Sequence, residues 1–431
     1  MFLSCKGWLL LPLLFIASFL HSQEIAPYSR FGIGEPYSSA FTASKGMGRL
    51  SAGYRDPLHI NPINPASYSN IGLTTLETGF NLNTRRITDG QTQKSFSTGD
   101  GFLDYFSLGF PASSKFGTSF GIIPYSKMNY SFSETRNDTT IGETTRLYDG
   151  SGRTYRLYAG AAWRTPNSDT SKHTFSVGLN FVYAFGNLTR NDIVDFQDRS
   201  FYNTQIVSVA RLSNFALNPG IQYRRKMNDS LSVVIGAYSS FPVFVNSEET
   251  IDWSRFVSVT GGSIIVDTAY QYSERNKNIK VPVEAGVGMT IGNDSKWSAG
   301  VDARYSVWKD AEVFSSEALL KNSMEISAGG EFRPDFTSKN IFKNMVYRAG
   351  AYYDNGYLEV DKQRISEYGF TFGFSILPVK TVLYKLNFSF DTGKSGTTSN
   401  GLLSETFFRA YIGFTLNAAG SDRWFMKPKY D

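Results

Sequence analysis

The sequence predicts an all-β protein: a 14-stranded antiparallel transmembrane β-barrel with an N-terminal plug, or hatch, in its lumen. Three observations predict this fold. Apolar residues alternate with small or polar ones in many segments, the chain begins with an export signal, and no later apolar run is long enough for a helical membrane span. Because a strand points successive side chains to opposite faces, alternation supplies one face for lipid and one for a polar lumen.

The alternation is most regular between His173 and Phe185. Every second residue from Phe175 to Phe185 is aromatic or aliphatic, whereas the residues between them begin with Thr174 and Ser176. The same pattern predicts strands near 73–83, 102–110, 116–132, 152–164, 173–186, 212–225, 231–240, 279–291, 296–308, 323–333, 345–354, 365–376, 382–391 and 404–416. Fourteen is an even number, as in single-chain bacterial barrels.

The predicted connections alternate between short and long. Shorter turns are expected near 111–115, 165–172, 226–230, 292–295, 334–344 and 377–380, and longer polar loops near 84–101, 133–151, 187–211, 241–278, 309–322, 355–364 and 392–403. Since short turns are typical of the periplasmic side, we expect both termini in the periplasm and the long loops outside. The 241–278 loop is expected to hold an extra hairpin formed by Val243–Val245 and Ser263–Val266.

The first 22 residues read as a signal peptide. Lys6 precedes the apolar run from Trp8 to Leu20, and cleavage is expected after Ser22. We therefore predict export to the outer membrane of a Gram-negative bacterium. Cys5 is the one cysteine of the chain and lies in this signal, so the exported part has neither disulfides nor thiol chemistry.

Charged residues fall on the predicted lumenal face of the strands. A charge facing lipid at the bilayer midplane would cost roughly 2–4 kcal/mol, which explains this sorting. The predicted lumenal charges are Glu77, Arg156, Arg224, Glu284, Asp302, Arg304, Glu325, Glu331, Arg333, Arg348, Lys385 and Arg409. Two interpretations remain open: a structural network that fills the barrel and anchors a plug, or a path for a charged ligand. The net charge of +5 is scattered rather than clustered, which argues against nucleic acid as a partner.

The segment 23–72 lacks the alternation of the later chain. It is rich in glycine and proline and contains Asn61-Pro62-Ile63-Asn64-Pro65-Ala66. Irregular backbone at membrane depth is tolerated only inside protein, so this segment is expected to be the plug. The predicted organisation is a signal peptide (1–22), a hatch (23–72), a transmembrane barrel (73–417) and a C-terminal periplasmic tail (418–431).

These features resemble the FadL-like family of outer-membrane transporters. The motif Asn64, Pro65, Ala66 is similar to the family's hatch motif, and Gly46-Met47-Gly48-Arg49 lies in a similar place before it. The spacing of Trp297, Asp302, Tyr305 and Trp308 looks like the family's C-terminal half, as do the strands that contain Arg348-Ala349-Gly350 and Gly369-Phe370.

The resemblance implies a monomer for passive uptake of hydrophobic molecules such as long-chain fatty acids, with outer-membrane lipid and a hydrophobic small molecule as partners. The ligand would be captured by the outer loops and pass the hatch, and it could then leave sideways through the wall into the membrane. The alternative is a non-transporting scaffold barrel of the PorV kind, related to type IX secretion, that docks a secretion or surface protein partner through a long outer loop.

The sequence argues against an enzyme. Only His59 and His173 follow the signal peptide, and each is interpreted as structural. Glu325 and Glu331 share a face but lie about 20 Å apart along a strand, too far for paired acid–base work. The sequence contains no metal-ligand cluster, phosphate loop or nucleophile elbow, so no cofactor is expected.

Overall fold

A computed structural model describes residues 25–166, 172–198, 200–245, 247–260, 262–277, 281–293, 296–309, 319–335, 338, 340–377 and 384–418. The predicted signal peptide and all but the first residue of the predicted C-terminal tail lie outside these residues. Within the described ranges, no helix is both long enough and apolar enough to cross a bilayer.

Fourteen antiparallel strands form a closed barrel, as predicted. The barrel strands are β1 (Thr75–Asp89), β2 (Ser95–Pro111), β3 (Phe116–Asp138), β4 (Gly142–Arg164), β5 (His173–Phe196), β6 (Asn203–Lys226), β7 (Ser232–Val245), β8 (Val283–Asn293), β9 (Trp297–Val307), β10 (Ser323–Phe332), β11 (Val346–Asp354), β12 (Glu367–Ile376), β13 (Tyr384–Gly396) and β14 (Leu403–Asn417). Strand β1 pairs with β14 over its full length, from Thr75↔Asn417 to Asp89↔Leu403, and thereby closes the sheet.

All fourteen predicted strands are present, but several are longer than the alternation indicated. Strand β5 continues ten residues past the predicted end at 186, and β6 begins nine residues before the predicted start at 212. The extensions lie at the end of the barrel that carries the long loops. Both faces of a strand meet water beyond the lipid, so the alternating pattern ends before the strand does.

The long-loop end carries additional structure. An outer hairpin, Ser247–Val259 with Gly262–Lys277, extends the sheet by pairing with residues 203–211 of β6. The hairpin was expected in this loop, but Val243–Val245 belongs to β7 rather than to the hairpin. Three short strands, Leu319–Leu320, Leu358–Val360 and Gln363–Arg364, form a small separate sheet, and Ser399–Gly401 is a 3-10 turn. At the opposite, short-turn end a one-turn helix spans Ile341–Asn344.

Side chains are sorted between the two faces of the wall. Outward-facing Phe370 and Phe372 are 61% and 48% exposed, whereas Thr371 between them is buried. The same alternation buries Arg409 while its neighbour Phe408 faces outward. The wall therefore presents an apolar exterior and a polar interior, which is the distribution required of a barrel in lipid.

The chain before β1 lies inside this wall. It contains a 3-10 turn at Pro27–Arg30, a two-residue strand at Glu35–Pro36, one helical turn at Thr42–Lys45 and a 3-10 helix at Pro65–Asn70. The hydroxyl of Tyr28 donates to the carbonyl of Leu403, the first residue of β14 at the long-loop end. The expectation that both ends lie at the short-turn side is therefore wrong for the first described residues. From the long-loop end the described segment descends through the lumen to β1.

Candidate functional site: the lumen and its wall

The N-terminal segment is bonded to strands on every side of the lumen. The Thr42 amide donates to the hydroxyl of Tyr105 on β2 (3.2 Å), and the Gly48 amide donates to Thr371 Oγ1 on β12 (2.8 Å). On β9, Asp302 accepts from the backbone amides of residues 51 and 52 at 2.6 and 2.8 Å. On β5, the side-chain amide of Asn180 donates to the carbonyl of Pro62 (3.0 Å). These contacts hold the segment across the lumen.

Glycines on the inner face of the wall let the segment's backbone approach closely. A Cβ atom placed on Gly236 of β7 would lie 1.8 Å from the carbonyl oxygen of Ala52, and one on Gly117 of β3 would lie 1.8 Å from that of Tyr68. No side chain fits at either position without displacing the segment. The sequence analysis assigned these glycines no role, because the need for them arises from the approach of a distant backbone.

The Asn64-Pro65-Ala66 motif joins the segment to itself and to the wall. Asn64 is fully buried, and its side-chain oxygen accepts from the Ala66 amide at the start of the 3-10 helix (3.2 Å). Its amide nitrogen donates to the carbonyl of Ala52 (2.8 Å) and to that of Ile221 on β6 (3.2 Å). Pro65 is preset for the first helical position, where no backbone N–H is needed. The motif is thus a structural clamp.

Arg49 is the centre of an ion-pair network above the clamp. Its guanidinium lies 2.9 Å from Asp391, 3.4 Å from Glu325 and 3.4 Å from Glu367. Arg409, a predicted lumenal charge, pairs with the same Glu367 and Asp391 at 3.1 and 3.3 Å. Arg49, Glu367 and Asp391 were absent from the predicted set. Arg49 lies in the irregular segment, and Glu367 and Asp391 lie near the ends of their predicted strands.

Further predicted charges pair around this network. Arg304 lies 2.9 Å from Glu325, and Arg156 lies 3.7 Å from Glu284. Sequence reasoning missed a neighbouring set in which Arg85 of β1 contacts Glu405 of β14 at 2.6 Å and Glu35 of the segment at 2.9 Å. Arg85 could have been predicted by continuing the alternation of β1 past residue 83, where the strand was expected to end.

A second network lies nearer the short-turn end. The ring of His59 is buried, and its Nδ1–H donates to Glu77 (2.6 Å) while Nε2 accepts from the ammonium of Lys385 (3.2 Å). Arg333 contacts Asp56 at 3.0 Å and Glu331 at 2.9 Å. Two further predicted charges belong to this end: Arg348, which lies 3.2 Å from Glu331, and Arg224, which is half-buried on β6.

A buried lysine anchors the helical turn of the segment. The ammonium of Lys45 contacts the carboxylate of Asp104 on β2, and it also lies 4.2 Å from the ring centre of Tyr411. Burial lowers the pKa of Lys45, since the loss of hydration outweighs the attraction of Asp104. Both side chains are buried, so the pair is an internal contact shielded from solvent.

Between the networks and the long-loop end lies a cavity of about 180 Å³. Its charged lining is balanced, with six basic and six acidic side chains: Lys45, Arg49, Arg85, Arg156, Arg304, Arg409, Glu35, Glu284, Glu325, Asp354, Glu367 and Glu405. Most of these charges pair with one another, and tyrosine, tryptophan and aliphatic side chains line much of the rest, so the lining is mixed in polarity.

Apolar side chains close the cavity at the long-loop end. One buried cluster joins Ile33 of the segment to Met128 of β3 and to Trp308 beyond β9. A second cluster packs Tyr28 and Phe31 against residues of the small outer sheet and of the loop before β14: Leu358, Ile365 and Leu402. The outer mouth is therefore covered by loops and by the chain's own N-terminal segment.

The wall itself is split between β2 and β3. These strands pair only from Phe106↔Ile122 to Pro111↔Gly117, close to the short turn, whereas both continue much farther toward the long-loop end. The split begins near Pro124 of β3, which has no N–H to donate. The pairing of β3 with β4 also shifts register there, between Pro124 and Ser126. Strand β3 thus turns away from β2 partway up the barrel.

The N-terminal segment occupies this split, and we call residues 25–37 the strap. Its Glu35–Pro36 strand pairs with Lys127 and Ser126 of β3, and the Ala26 amide donates to the Asn129 carbonyl (2.7 Å). An ion pair between Lys127 and Asp100 of β2 spans the split at 2.5 Å. The free edge of β3 is therefore paired with the strap instead of with its neighbouring strand.

The closed barrel of fourteen strands has the fold of FadL-like outer-membrane barrels, as the resemblance implied. One similar structure is the toluene transporter TodX of Pseudomonas putida, with 14% identity and a TM-score of 0.57 over 89% of this chain and 99% of that chain. Another is the toluene transporter TbuX of Ralstonia pickettii, with 11% identity and a TM-score of 0.55 over 88% of this chain and 98% of that chain. A FadL homologue of Pseudomonas aeruginosa has 12% identity and a TM-score of 0.54 over 90% of this chain and 99% of that chain. At these identities the similarity establishes the fold. The BamG family model matches residues 5–431, and the chain belongs to the BamG family. No curated protein sequence matches it significantly.

Proposed function

We propose that this protein is an outer-membrane barrel for passive uptake of hydrophobic molecules, which leave sideways between β2 and β3. The split in the wall carries the proposal, because it is the place where the pairing of two barrel strands stops partway up. The fold supports it as well, since barrels described as toluene transporters share this architecture. Long-chain fatty acids and small aromatic hydrocarbons are both candidate substrates.

The arrangement of polar groups favours a sideways route over a vertical one. Below the cavity the N-terminal segment and its ion pairs fill the lumen, and an apolar solute passing there would have to separate buried charges. A solute that displaced the apolar contacts at the outer mouth would instead reach the strap, behind which lies lipid. Movement of the strap is the step that this route requires.

A disulfide that locks the strap tests the route. Pro36 and Ser126 are directly paired across the strap and β3, at a spacing suited to a disulfide, and the exported chain has no other cysteine. The Pro36→Cys, Ser126→Cys variant in liposomes should lose uptake of radiolabelled oleate and toluene when oxidised and regain it after reduction. Each single variant is the control. Equal uptake by the oxidised and reduced double variant would contradict the sideways route.

The second candidate is a scaffold barrel that binds another protein. The balanced, ion-paired lumen favours it, because this interior suits a rigid body better than a hydrocarbon path. The outer hairpin supplies a surface away from the lumen, with Trp253, Ile264 and Ile265 exposed. Mild-detergent purification followed by mass spectrometry separates the two functions: a bound apolar small molecule supports uptake, whereas a stoichiometric partner protein and no such molecule supports the scaffold.

We also propose that the barrel has no catalytic activity. Both ring nitrogens of His59 are engaged inside the lumen, and His173 contacts the Tyr223 hydroxyl at the short-turn end. Within the described residues, histidine and carboxylate side chains form no group suited to a metal ion. Neither histidine is therefore placed to activate a nucleophile toward a bound substrate.

A further inference from the structure

The outward face of three neighbouring strands gives the height of the apolar band. Paired residues on β13, β14 and β1 form horizontal rows, the lowest being Tyr384–Leu416–Leu76. The highest row with a large apolar side chain is Thr392–Phe408–Thr84, eight residues farther along each strand. Eight residues span about 27 Å along a strand, or about 20 Å of height at the tilt usual for barrels. This height is close to the roughly 25 Å apolar band of outer-membrane barrels.

The next outward row contains two basic residues. Lys394 of β13 and Arg86 of β1 both pair with Thr406 of β14, so they flank it on the same outward row. Both side chains are exposed. With a strand spacing of about 4.8 Å, their backbones lie about 10 Å apart. The two cations therefore stand side by side directly above the apolar band, at the level of lipid headgroups.

Three exposed arginines at this end of the barrel have carboxylate partners, whereas Arg86 and Lys394 have none among the described residues. Arg136 lies 2.7 Å from Glu134, Arg211 lies 3.4 Å from Glu248, and Arg255 contacts Asp267. Neither Arg86 nor Lys394 has a carboxylate within ion-pair distance in the part of the chain that the structure describes.

Among the residues that the structure describes, the outward positions next to the pair carry no acidic side chain. The outward positions above and beside the two cations carry hydroxyl groups: Thr88, Ser95, Ser97, Ser404 and Thr406. The neighbouring acidic residues Glu405 and Asp391 point into the lumen, where they pair with Arg85 and Arg49. The carboxylate of Asp89, at the end of β1, accepts hydrogen bonds from Gln91 and Thr92 of its own turn. The patch is thus positive, rich in hydrogen-bond donors and open toward the plane of the membrane.

We infer that Arg86 and Lys394 bind a phosphate-bearing headgroup of an outer-leaflet lipid. The inference rests on the proposed placement in the outer membrane, with the long loops outside, and adds a lipid site on the exterior of the wall. The guanidinium of Arg86 offers two parallel N–H donors to phosphate oxygens, the ammonium of Lys394 adds a point charge, and the hydroxyl of Thr406 lies between them. The acyl chains of the same lipid would lie along Phe408 and the aromatic rows below it.

The test compares lipid binding by the full chain and by matched variants. The protein in dodecyl maltoside is titrated with diphosphoryl lipid A, and bound lipid is counted by native mass spectrometry. The Arg86→Gln, Lys394→Gln variant should bind at least about tenfold more weakly, because each cation contributes to attraction for an anionic surface. The control is Arg136→Gln, Arg255→Gln, which removes two exposed cations that already have carboxylate partners and should keep affinity within about twofold.

A second arm identifies the group that is recognised. Lipid A without its phosphates should bind the native chain as weakly as diphosphoryl lipid A binds the double variant. Adding 0.5 M salt should weaken the binding of diphosphoryl lipid A to the native chain. Equal affinity of native and variant chains for diphosphoryl lipid A would overturn the inference, as would equal affinity of the native chain for the two lipids. Neither result depends on uptake, so a barrel that transports nothing still tests this site.

Discussion

At the scale of single residues, Arg49 joins the N-terminal segment to the wall. It lies in a left-handed backbone conformation (φ 67°), and its guanidinium contacts carboxylates of three strands while stacking on Tyr352 at 3.7 Å. A buried cation with several carboxylate partners stabilises a fold mainly because its removal leaves unpaired charges. One side chain from an irregular segment thus fixes the position of that segment relative to β10, β12 and β13.

Replacing Arg49 should therefore destabilise the barrel. We expect Arg49→Met to lower the free energy of unfolding by roughly 3 kcal/mol, near the lower end for a broken buried pair because Arg409 still contacts Glu367 and Asp391. The measurement is urea unfolding in detergent followed by tryptophan fluorescence. The exposed Arg136, paired only with Glu134, provides the control Arg136→Met, which should change stability by less than about 1 kcal/mol. Equal effects of the two substitutions would show that Arg49 is not an anchor.

The residues predicted from sequence and those found in the structure differ for a physical reason. Lipid forces charged side chains of a strand to the inner face, so Arg348 and Arg409 could be assigned from alternation alone. Arg49 has no such signal, because its segment has no period. Which acid meets which base depends on strands brought together from distant parts of the chain, as with Arg85 and Glu405, and no local pattern encodes that pairing.

At the scale of elements, the strands and the N-terminal segment obey different rules. Each barrel strand can be found from its alternation, and all fourteen were. The split between β2 and β3 could not be found in this way, because alternation reports the environment of each face and not the hydrogen-bonding partner at each edge. Pro124 was the local signal available, since proline in a strand marks an edge or a bulge.

The inward glycines connect the two kinds of element, and Gly236 tests that connection. A valine there would overlap the carbonyl of Ala52, so the segment must shift or the strand must bend. We expect Gly236→Val to lower stability by about 1–3 kcal/mol, the usual cost of overpacking, and to increase the ion conductance of the barrel. Both are measured on the purified protein, by urea unfolding and in planar bilayers.

A matched glycine provides the control for that experiment. Gly262 lies in the outer hairpin, where an added Cβ would meet nothing within 4 Å. Gly262→Val should therefore leave stability and conductance unchanged. If Gly236→Val behaves like Gly262→Val, the segment does not press against β7 as described.

At the scale of the whole molecule, the protein is a barrel closed in three ways. The N-terminal segment and its ion pairs fill the lower lumen, apolar loops cover the outer mouth, and the strap occupies the split in the wall. Charge is balanced inside the cavity, while the exterior carries an apolar band with Arg86 and Lys394 above it. Any transport must therefore begin with movement of the segment rather than with flow through an open pore.

Conductance measures that closure most directly. In planar bilayers the full chain should show no persistent channel, whereas a variant that lacks residues 23–72 should form a stable open channel, because the polar interior of a 14-stranded barrel is wide enough for water once it is emptied. Resistance of the variant to denaturation in cold SDS confirms that the barrel has folded. A folded variant that conducts no better than the full chain would contradict the account of a lumen filled by its own N-terminal segment.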